Sequence, residues 1–303
     1  AHAEALVCGN VRRERALRLA DELERLFPKD AVPLLAQQLL LCREVELDKG
    51  SWFLRECENS VHASSCACVY LACGPRRARA NVTLELLAHA LSEPCFHALR
   101  TQEQLGYIVF SGVRRSGGVQ GLRVLVQGDR GPAFLESRIA AFLDAALEHL
   151  EGMSEQEFGS HRAALAAERL ERPKRLAAKA SRMWAEISSQ MYSFDRARVE
   201  VDELNTVTQE ELIEFYKKHI HSSSRECRKL SVHVLSVAEG GAGARGGEQA
   251  AGQADGQAGG QAGGSARQSA RVTDLVEFKS RRRLHPHPVP ALSVPRKGAH
   301  CKL

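Results

Sequence analysis

Residues 99–112 read LRTQEQLGYIVFSG, and this stretch is the most informative part of the chain. It leaves a pattern typical of an amphipathic helix, crosses a polar turn and enters an apolar run typical of a strand. Arg100 and Tyr107 lie seven positions apart across that junction. Guanidinium and phenol groups both donate hydrogen bonds, so this pair is suited to an oxygen on which negative charge develops.

The segments around this junction predict a helix followed by a hairpin. Leucines recur at helical spacing over residues 80–98, directly before the junction. Two apolar runs, 105–112 and 119–127, stand on either side of a Gly-Gly pair at 117–118. Apolar runs joined by such a pair are typical of a β-hairpin.

Further along the chain, two capping boxes predict where helices begin. Ser154 and Thr208 each stand three residues before a glutamate, the pattern in which cap and glutamate satisfy each other's backbone amides. Residues 51–56, 67–72 and 229–237 predict additional strands. This order of helices and strands favours an α+β domain with an antiparallel sheet.

The composition predicts a soluble globular protein of 303 residues, with 44% hydrophobic and 26% charged residues. The net charge of +5, with both signs intermixed, argues against a nucleic-acid partner. No apolar run approaches the roughly 20 residues of a membrane span. Nine cysteines, an odd number without a ladder of CxxC pairs, indicate reduced thiols and a cytoplasmic location.

The sequence contains neither H-E-x-x-H nor H-x-x-E-H, and it also lacks G-x-S-x-G and a phosphate-binding loop. Glu148 and His149 end the second zinc pattern, but Ala145 stands where its first histidine is needed. A catalytic zinc site needs three protein ligands on rigid elements. We therefore predict no metal ligands in this chain. Arg100 and Tyr107 also have ordinary interpretations, as a helix C-terminal cation and an aromatic residue at a sheet rim.

Seven segments resemble the insulysin-like members of the pitrilysin, or inverzincin, family of zinc metallopeptidases. Nothing in composition or periodicity suggests this family; the resemblance rests on the motifs themselves. They are residues 92–96, 99–112, 121–123, 135–138, 172–176, 192–196 and 231–235.

That resemblance implies an antiparallel sheet with helices packed on one face, in one of four homologous domains. These domains form two bowl-shaped halves that close around a peptide. Residues 1–45 would be the C-terminal tail of the third domain, and 46–238 the fourth domain. Residues 239–271 are rich in Gly, Ala and Gln without an apolar period, which predicts a flexible insert. Residues 272–303 would then complete the fourth domain.

The resemblance also implies a zinc metalloendopeptidase that degrades small peptides such as insulin-type hormones. The zinc ligands would lie in an N-terminal catalytic half, so this chain alone would be inactive. Arg100 would hold the carbonyl side of the bound peptide, and Tyr107 would donate a hydrogen bond to the tetrahedral oxyanion. Phe96 would line the substrate pocket, with core packing as its alternative. The rival hypothesis is a non-catalytic binding or subunit-like module, and a homodimer is left open.

Two further predictions concern charged groups. Arg172, Lys174 and Arg175 surround the helix break at Pro173, and the resemblance implies that ATP or polyphosphate binds there as an effector. A solvated turn is the alternative. The chain ends in Cys301, Lys302 and Leu303, which resembles the S-K-L peroxisomal signal and adds the peroxisome to the cytoplasm as a predicted location.

Overall fold

The computed structural model describes residues 2–28, 30–32, 34, 42–237 and 268–290. The predicted peroxisomal signal and residues 239–267 of the predicted insert lie outside these ranges. Within them the chain forms six strands: β1 (Trp52–Glu58), β2 (Ser65–Pro75), β3 (Ile108–Ser116), β4 (Val119–Gly128), β5 (Lys229–Leu235) and β6 (Ala270–Arg271).

The same residues form eight α-helices and one π-helical segment, His97–Gln102. No described helix combines the length and apolar character needed to cross a membrane. The α-helices are α1 (Arg13–Arg25), α2 (Ala78–Phe96), α3 (Pro132–Gly152), α4 (Glu155–Leu170), α5 (Leu176–Ser188), α6 (Arg196–Leu204), α7 (Gln209–His219) and α8 (Leu275–Ser280).

The sheet has the strand order β3-β4-β2-β5-β1-β6, and it is mixed. The first four strands are antiparallel neighbours, as the sequence predicts. The antiparallel prediction is wrong for β1, which pairs in parallel with both β5 and β6. β5 lies between β2 and β1, antiparallel to the first and parallel to the second. Five helices, α3 to α7, separate β5 from β4 in the sequence, so no hairpin turn sets its direction.

The main core lies between the sheet and the helical layer. Val69, Leu71 and Leu122 point from β2 and β4 toward Leu87 of α2 and Ile139 of α3, and each is 2% exposed or less. Burying one such side chain contributes about 1.5–3 kcal/mol. Helices α2 and α3 therefore cover one face of the sheet, as the resemblance implies.

The opposite face of the sheet carries a smaller cluster that was not expected. Phe278 of α8 packs edge-on against Phe53 of β1, with ring centroids 5.1 Å apart. This contact places α8 on the face away from the main helical layer. Ala270 and Arg271, the last two residues of the predicted insert, pair with β1 as β6.

The N-cap hydrogen bond of each predicted capping box is present at its helix start. The Ser154 hydroxyl accepts a hydrogen bond from the Glu157 amide at 3.2 Å, and α4 begins at the next residue. The Thr208 hydroxyl accepts from the Glu211 amide at 3.3 Å at the start of α7. Local cap chemistry thus fixes these two boundaries.

One carboxylate fastens α3 to the sheet. Glu136 accepts hydrogen bonds from Lys229 Nζ and Ser231 Oγ, each at 2.7 Å, and its other oxygen lies 2.6 Å from His233 Nε2. All three partners belong to β5. Burial opposes ionisation of Glu136, but the hydrogen bonds from His233, Lys229 and Ser231 outweigh it and lower its pKa to about 2.

We expect Glu136→Gln to destabilise the chain by about 2 kcal/mol near neutral pH, after allowance for the partial solvent exposure of the site. The folded-state pKa lies below the ordinary value of 4.5, so ionised Glu136 stabilises the fold above that pH. This contribution falls as the pH drops from 4.5 toward 2. Urea unfolding across that range should show the two proteins converging in acid.

Glu148→Gln provides the control, because Glu148 is an exposed carboxylate on the same helix. Its unfolding free energy should follow that of the unmodified chain within about 0.5 kcal/mol at every pH. A destabilisation by Glu136→Gln that is the same at acid and neutral pH would contradict the assigned role of the carboxylate.

Candidate catalytic and substrate-binding site

The candidate site begins where α2 changes its hydrogen-bonding pattern. Pro94 lies inside the last turn of α2, and the chain continues as the π-helical segment His97–Gln102. Single π-helical turns concentrate at functional sites because they redirect side chains. Leu99 is fully buried here, and its neighbour Arg100 is therefore turned toward the surface of the domain.

A tight turn then leads into β3. Gln104 has a φ of 51°, and the amide of Leu105 donates to the Leu99 carbonyl at 3.0 Å. A Cβ on Gly106 would lie 1.9 Å from the Gln127 carbonyl oxygen of β4. Only glycine fits this close approach of two backbones. The turn therefore fixes the backbone position of the next residue, Tyr107, directly before β3 begins at Ile108.

The structure brings the three predicted site residues together. The Arg100 Cζ atom lies 5.1 Å from the ring centroid of Phe96 and 5.0 Å from that of Tyr107. The Arg100 guanidinium also donates to the Tyr107 main-chain carbonyl. Cation–π contacts with two aromatic rings restrict the position of the guanidinium.

All three side chains are accessible to a ligand. Tyr107 is 81% exposed, Phe96 is 45% exposed and Arg100 is half-buried. Within the described residues Phe96 is therefore not part of the buried core. The group offers hydrogen-bond donors and an apolar surface at one place, which suits a peptide backbone and a neighbouring side chain.

An ion pair that the sequence did not indicate supports this site. Arg138 on α3 binds both carboxylate oxygens of Glu103, at 2.6 and 3.0 Å. Glu103 stands directly after the π-helical segment, so the pair joins the site turn to α3. Bidentate geometry of this kind defines orientation as well as contact.

The donor set at this site does not fit a zinc ion. Arg100, Tyr107 and Phe96 supply no imidazole, thiolate or carboxylate, the groups that bind zinc in proteins. In the part of the chain that the structure describes, no cluster of three or more His, Cys, Asp or Glu side chains is arranged to hold a metal.

The predicted polyanion site is only partly assembled. Arg172 lines a cleft of about 390 Å³ between α4, α5 and α6, whereas Lys174 and Arg175 do not. Lys174 is 85% exposed and pairs with Glu171 at 3.0 Å, and Arg175 precedes the first turn of α5. The sequence did not indicate the other arginines of this cleft, which are Arg169, Arg182, Arg196 and Arg198.

Comparison with solved structures defines the class of fold. The crystal structure of pitrilysin matches with a TM-score of 0.67 and 20% sequence identity, covering 91% of this chain and 27% of that chain. The family described as PQQ synthase PqqF-like, C-terminal lobe domain 4, matches residues 86–184. The fold is that of a pitrilysin-type peptidase domain.

Sequence relatives narrow the assignment. The insulin-degrading enzyme of Drosophila melanogaster is 38% identical over 305 residues, covering all of this chain and 30% of that protein. The insulin-degrading enzyme of Homo sapiens is 43% identical over 237 residues, covering 78% of this chain and 23% of that protein. The chain belongs to the insulin-degrading enzyme family, and it corresponds to a C-terminal part that spans less than a third of these relatives.

Proposed function

We propose that this chain forms the C-terminal portion of a zinc metalloendopeptidase that degrades small peptides. Its role is to position the substrate and to stabilise the transition state, while the zinc ligands belong to an N-terminal catalytic half. The observation that carries the proposal is the convergence of Phe96 and Tyr107 on the Arg100 guanidinium, at 5.1 and 5.0 Å.

Each side chain has a distinct task in this proposal. The Arg100 guanidinium binds the carbonyl side of the peptide backbone, and its hydrogen bond to the Tyr107 carbonyl limits its motion. The Tyr107 hydroxyl donates to the oxygen of the scissile group as negative charge develops there. Phe96 contacts the side chain beside the cleavage site. Donors of this kind accelerate hydrolysis because they bind the transition state more strongly than the substrate.

The test is complementation of the two halves. We expect the purified 303-residue chain alone to leave a fluorogenic peptide intact. Addition of the zinc-loaded part of the Drosophila insulin-degrading enzyme that precedes the region matched by this chain, which includes its N-terminal catalytic half, should restore hydrolysis, and sedimentation should show a complex. Hydrolysis by the chain alone would contradict the proposal. A complex without turnover would instead favour the non-catalytic, subunit-like module.

We also propose that the cleft beside Arg172 takes a polyanion such as ATP or polyphosphate. Arg172 and Arg198 bring positive charge to its wall, and Lys174 and Arg175 extend that charge along the adjoining turn. One guanidinium group can donate two parallel hydrogen bonds to the oxygens of a phosphate, which favours a phosphorylated effector. Cytoplasmic or peroxisomal location and homodimer formation remain predictions from the sequence.

A further inference from the structure

Two histidines meet where α2 packs against α4. The Nδ1 atoms of His89 and His161 lie 3.1 Å apart. Their ring centroids are separated by 5.2 Å, with an angle of 78° between the ring planes. His89 precedes Arg100 by eleven residues, or about 16 Å along the helix, so this pair is separate from the candidate catalytic site.

The surroundings of His161 favour its uncharged ring. Burial lowers the pKa of His161, and the neighbouring His89 and His149 lower it further, whereas Glu157 acts in the opposite direction. Two imidazoles in contact cannot both carry a proton on the facing nitrogens without strong repulsion. Neutral imidazole is the form that binds metal ions.

The spacing of the two nitrogens matches that of two ligands on one ion. Zinc–nitrogen bonds of about 2.0–2.1 Å, at coordination angles between octahedral and tetrahedral, place two ligand atoms roughly 2.9–3.4 Å apart. We propose that His89 and His161 form a binding site for a divalent transition-metal ion, each ring binding through Nδ1.

The helices on which the two histidines lie make the pair suitable as a metal site. His89 and His161 lie in the interior of α2 and α4, so their backbones are fixed by helical hydrogen bonds on both sides. Water molecules would complete the coordination, because in the described part of the chain no third His, Cys, Asp or Glu side chain is grouped with the pair. Imidazole ligands suit divalent transition-metal ions such as Zn²⁺ and Ni²⁺.

Binding at this position has a structural consequence. An ion bound by both rings links α2 to α4. Only the folded chain brings the two rings together, so the ion stabilises the folded state as its concentration rises. Protons compete with the ion for the same nitrogens, so affinity should fall as the pH is lowered.

The test uses Co²⁺ as the probe, added to the metal-free 303-residue chain. We expect one equivalent to bind, with visible d–d absorption and without the near-ultraviolet charge-transfer band of thiolate ligands. His89→Gln and His161→Gln should each weaken binding at least about tenfold. His62→Gln is the matched control, because His62 lies in an exposed loop, and it should leave the affinity unchanged.

A measurement on the unmodified chain gives independent information if a glutamine variant folds poorly. Zn²⁺ should then shift two histidine ring signals in NMR spectra while the exposed His62 signal stays in place. Absence of stoichiometric Co²⁺ uptake would overturn the proposal. Retention of full affinity in both glutamine variants, or a thiolate charge-transfer band, would also overturn it.

Discussion

Tyr107→Phe is expected to lower kcat of the complemented peptidase about 100- to 1000-fold, the usual effect of removing one oxyanion donor. The substitution deletes a single hydroxyl from a ring that is 81% exposed, so it leaves the packing of the domain unchanged. The Arg100 guanidinium keeps its contact with the ring and with the main-chain carbonyl of residue 107. The loss should therefore come from the transition state alone.

The kinetic pattern makes this expectation specific. A donor that acts only in the transition state changes kcat while KM stays nearly constant. Arg100→Ala should differ, because it removes a contact with the bound peptide and so raises KM as well. Tyr192→Phe is the control: the Tyr192 hydroxyl bonds to Glu4, outside the candidate site. A complemented Tyr107→Phe enzyme with the kcat of the unmodified chain would refute the oxyanion role.

Features governed by local chemistry could be predicted from the sequence. The caps at Ser154 and Thr208 depend on a side chain and an amide three residues away, and both are present. The hairpin between β3 and β4 turns at Gly117 and Gly118, whose φ angles of 51° and 80° favour glycine. Such signals need no knowledge of the rest of the fold.

Pairing between distant strands was beyond the sequence pattern. The parallel pair β1–β5 joins Trp52 to Lys229, and nothing in either strand specifies its partner or direction. The short strand Ala270–Arg271 was missed for a related reason: two residues at the end of a Gly/Ala/Gln-rich stretch carry no strand pattern. Both depend on tertiary packing.

The candidate site was predicted residue by residue, but its supporting contacts were not. Arg100, Tyr107 and Phe96 came from the resemblance, and the structure brings all three together. The pair between Glu103 and Arg138 spans 35 residues of sequence, so neither residue indicates the other. Two oppositely charged residues so far apart usually belong to solvated surfaces.

Helix α6 is partly buried, although its charged sequence is typical of an exposed helix. Glu200 is 1% exposed, although its nine-residue helix is largely charged. Its carboxylate accepts from Asn81 Nδ2 at 2.7 Å, from Arg169, and from Arg196 at 3.5 Å. Arg169 continues the network to Glu85 on α2. One carboxylate on α6 therefore holds side chains from α2 and α4.

Glu200→Gln is consequently expected to destabilise the chain by about 3 kcal/mol, since it removes a buried counter-charge from Arg169 and Arg196, which then keep only Glu85 and Glu186 as partners. Burial already lowers the pKa of Arg169, and Glu200 is the main group that opposes this shift. Urea unfolding followed by circular dichroism measures the change, with the slope checked for constancy.

Glu203→Gln separates burial from charge. Glu203 lies three residues later on α6, is 43% exposed and pairs with Arg79 at 3.5 Å. Removing this exposed charge should cost no more than about 1 kcal/mol. If the two substitutions cost the same, the Glu200 network would be no more than a surface ion pair. If Glu200→Gln costs several times more, the buried Glu200 network holds α6, α2 and α4 together. Because Arg100 lies in the π-helical segment that continues α2, the network then also supports the candidate site.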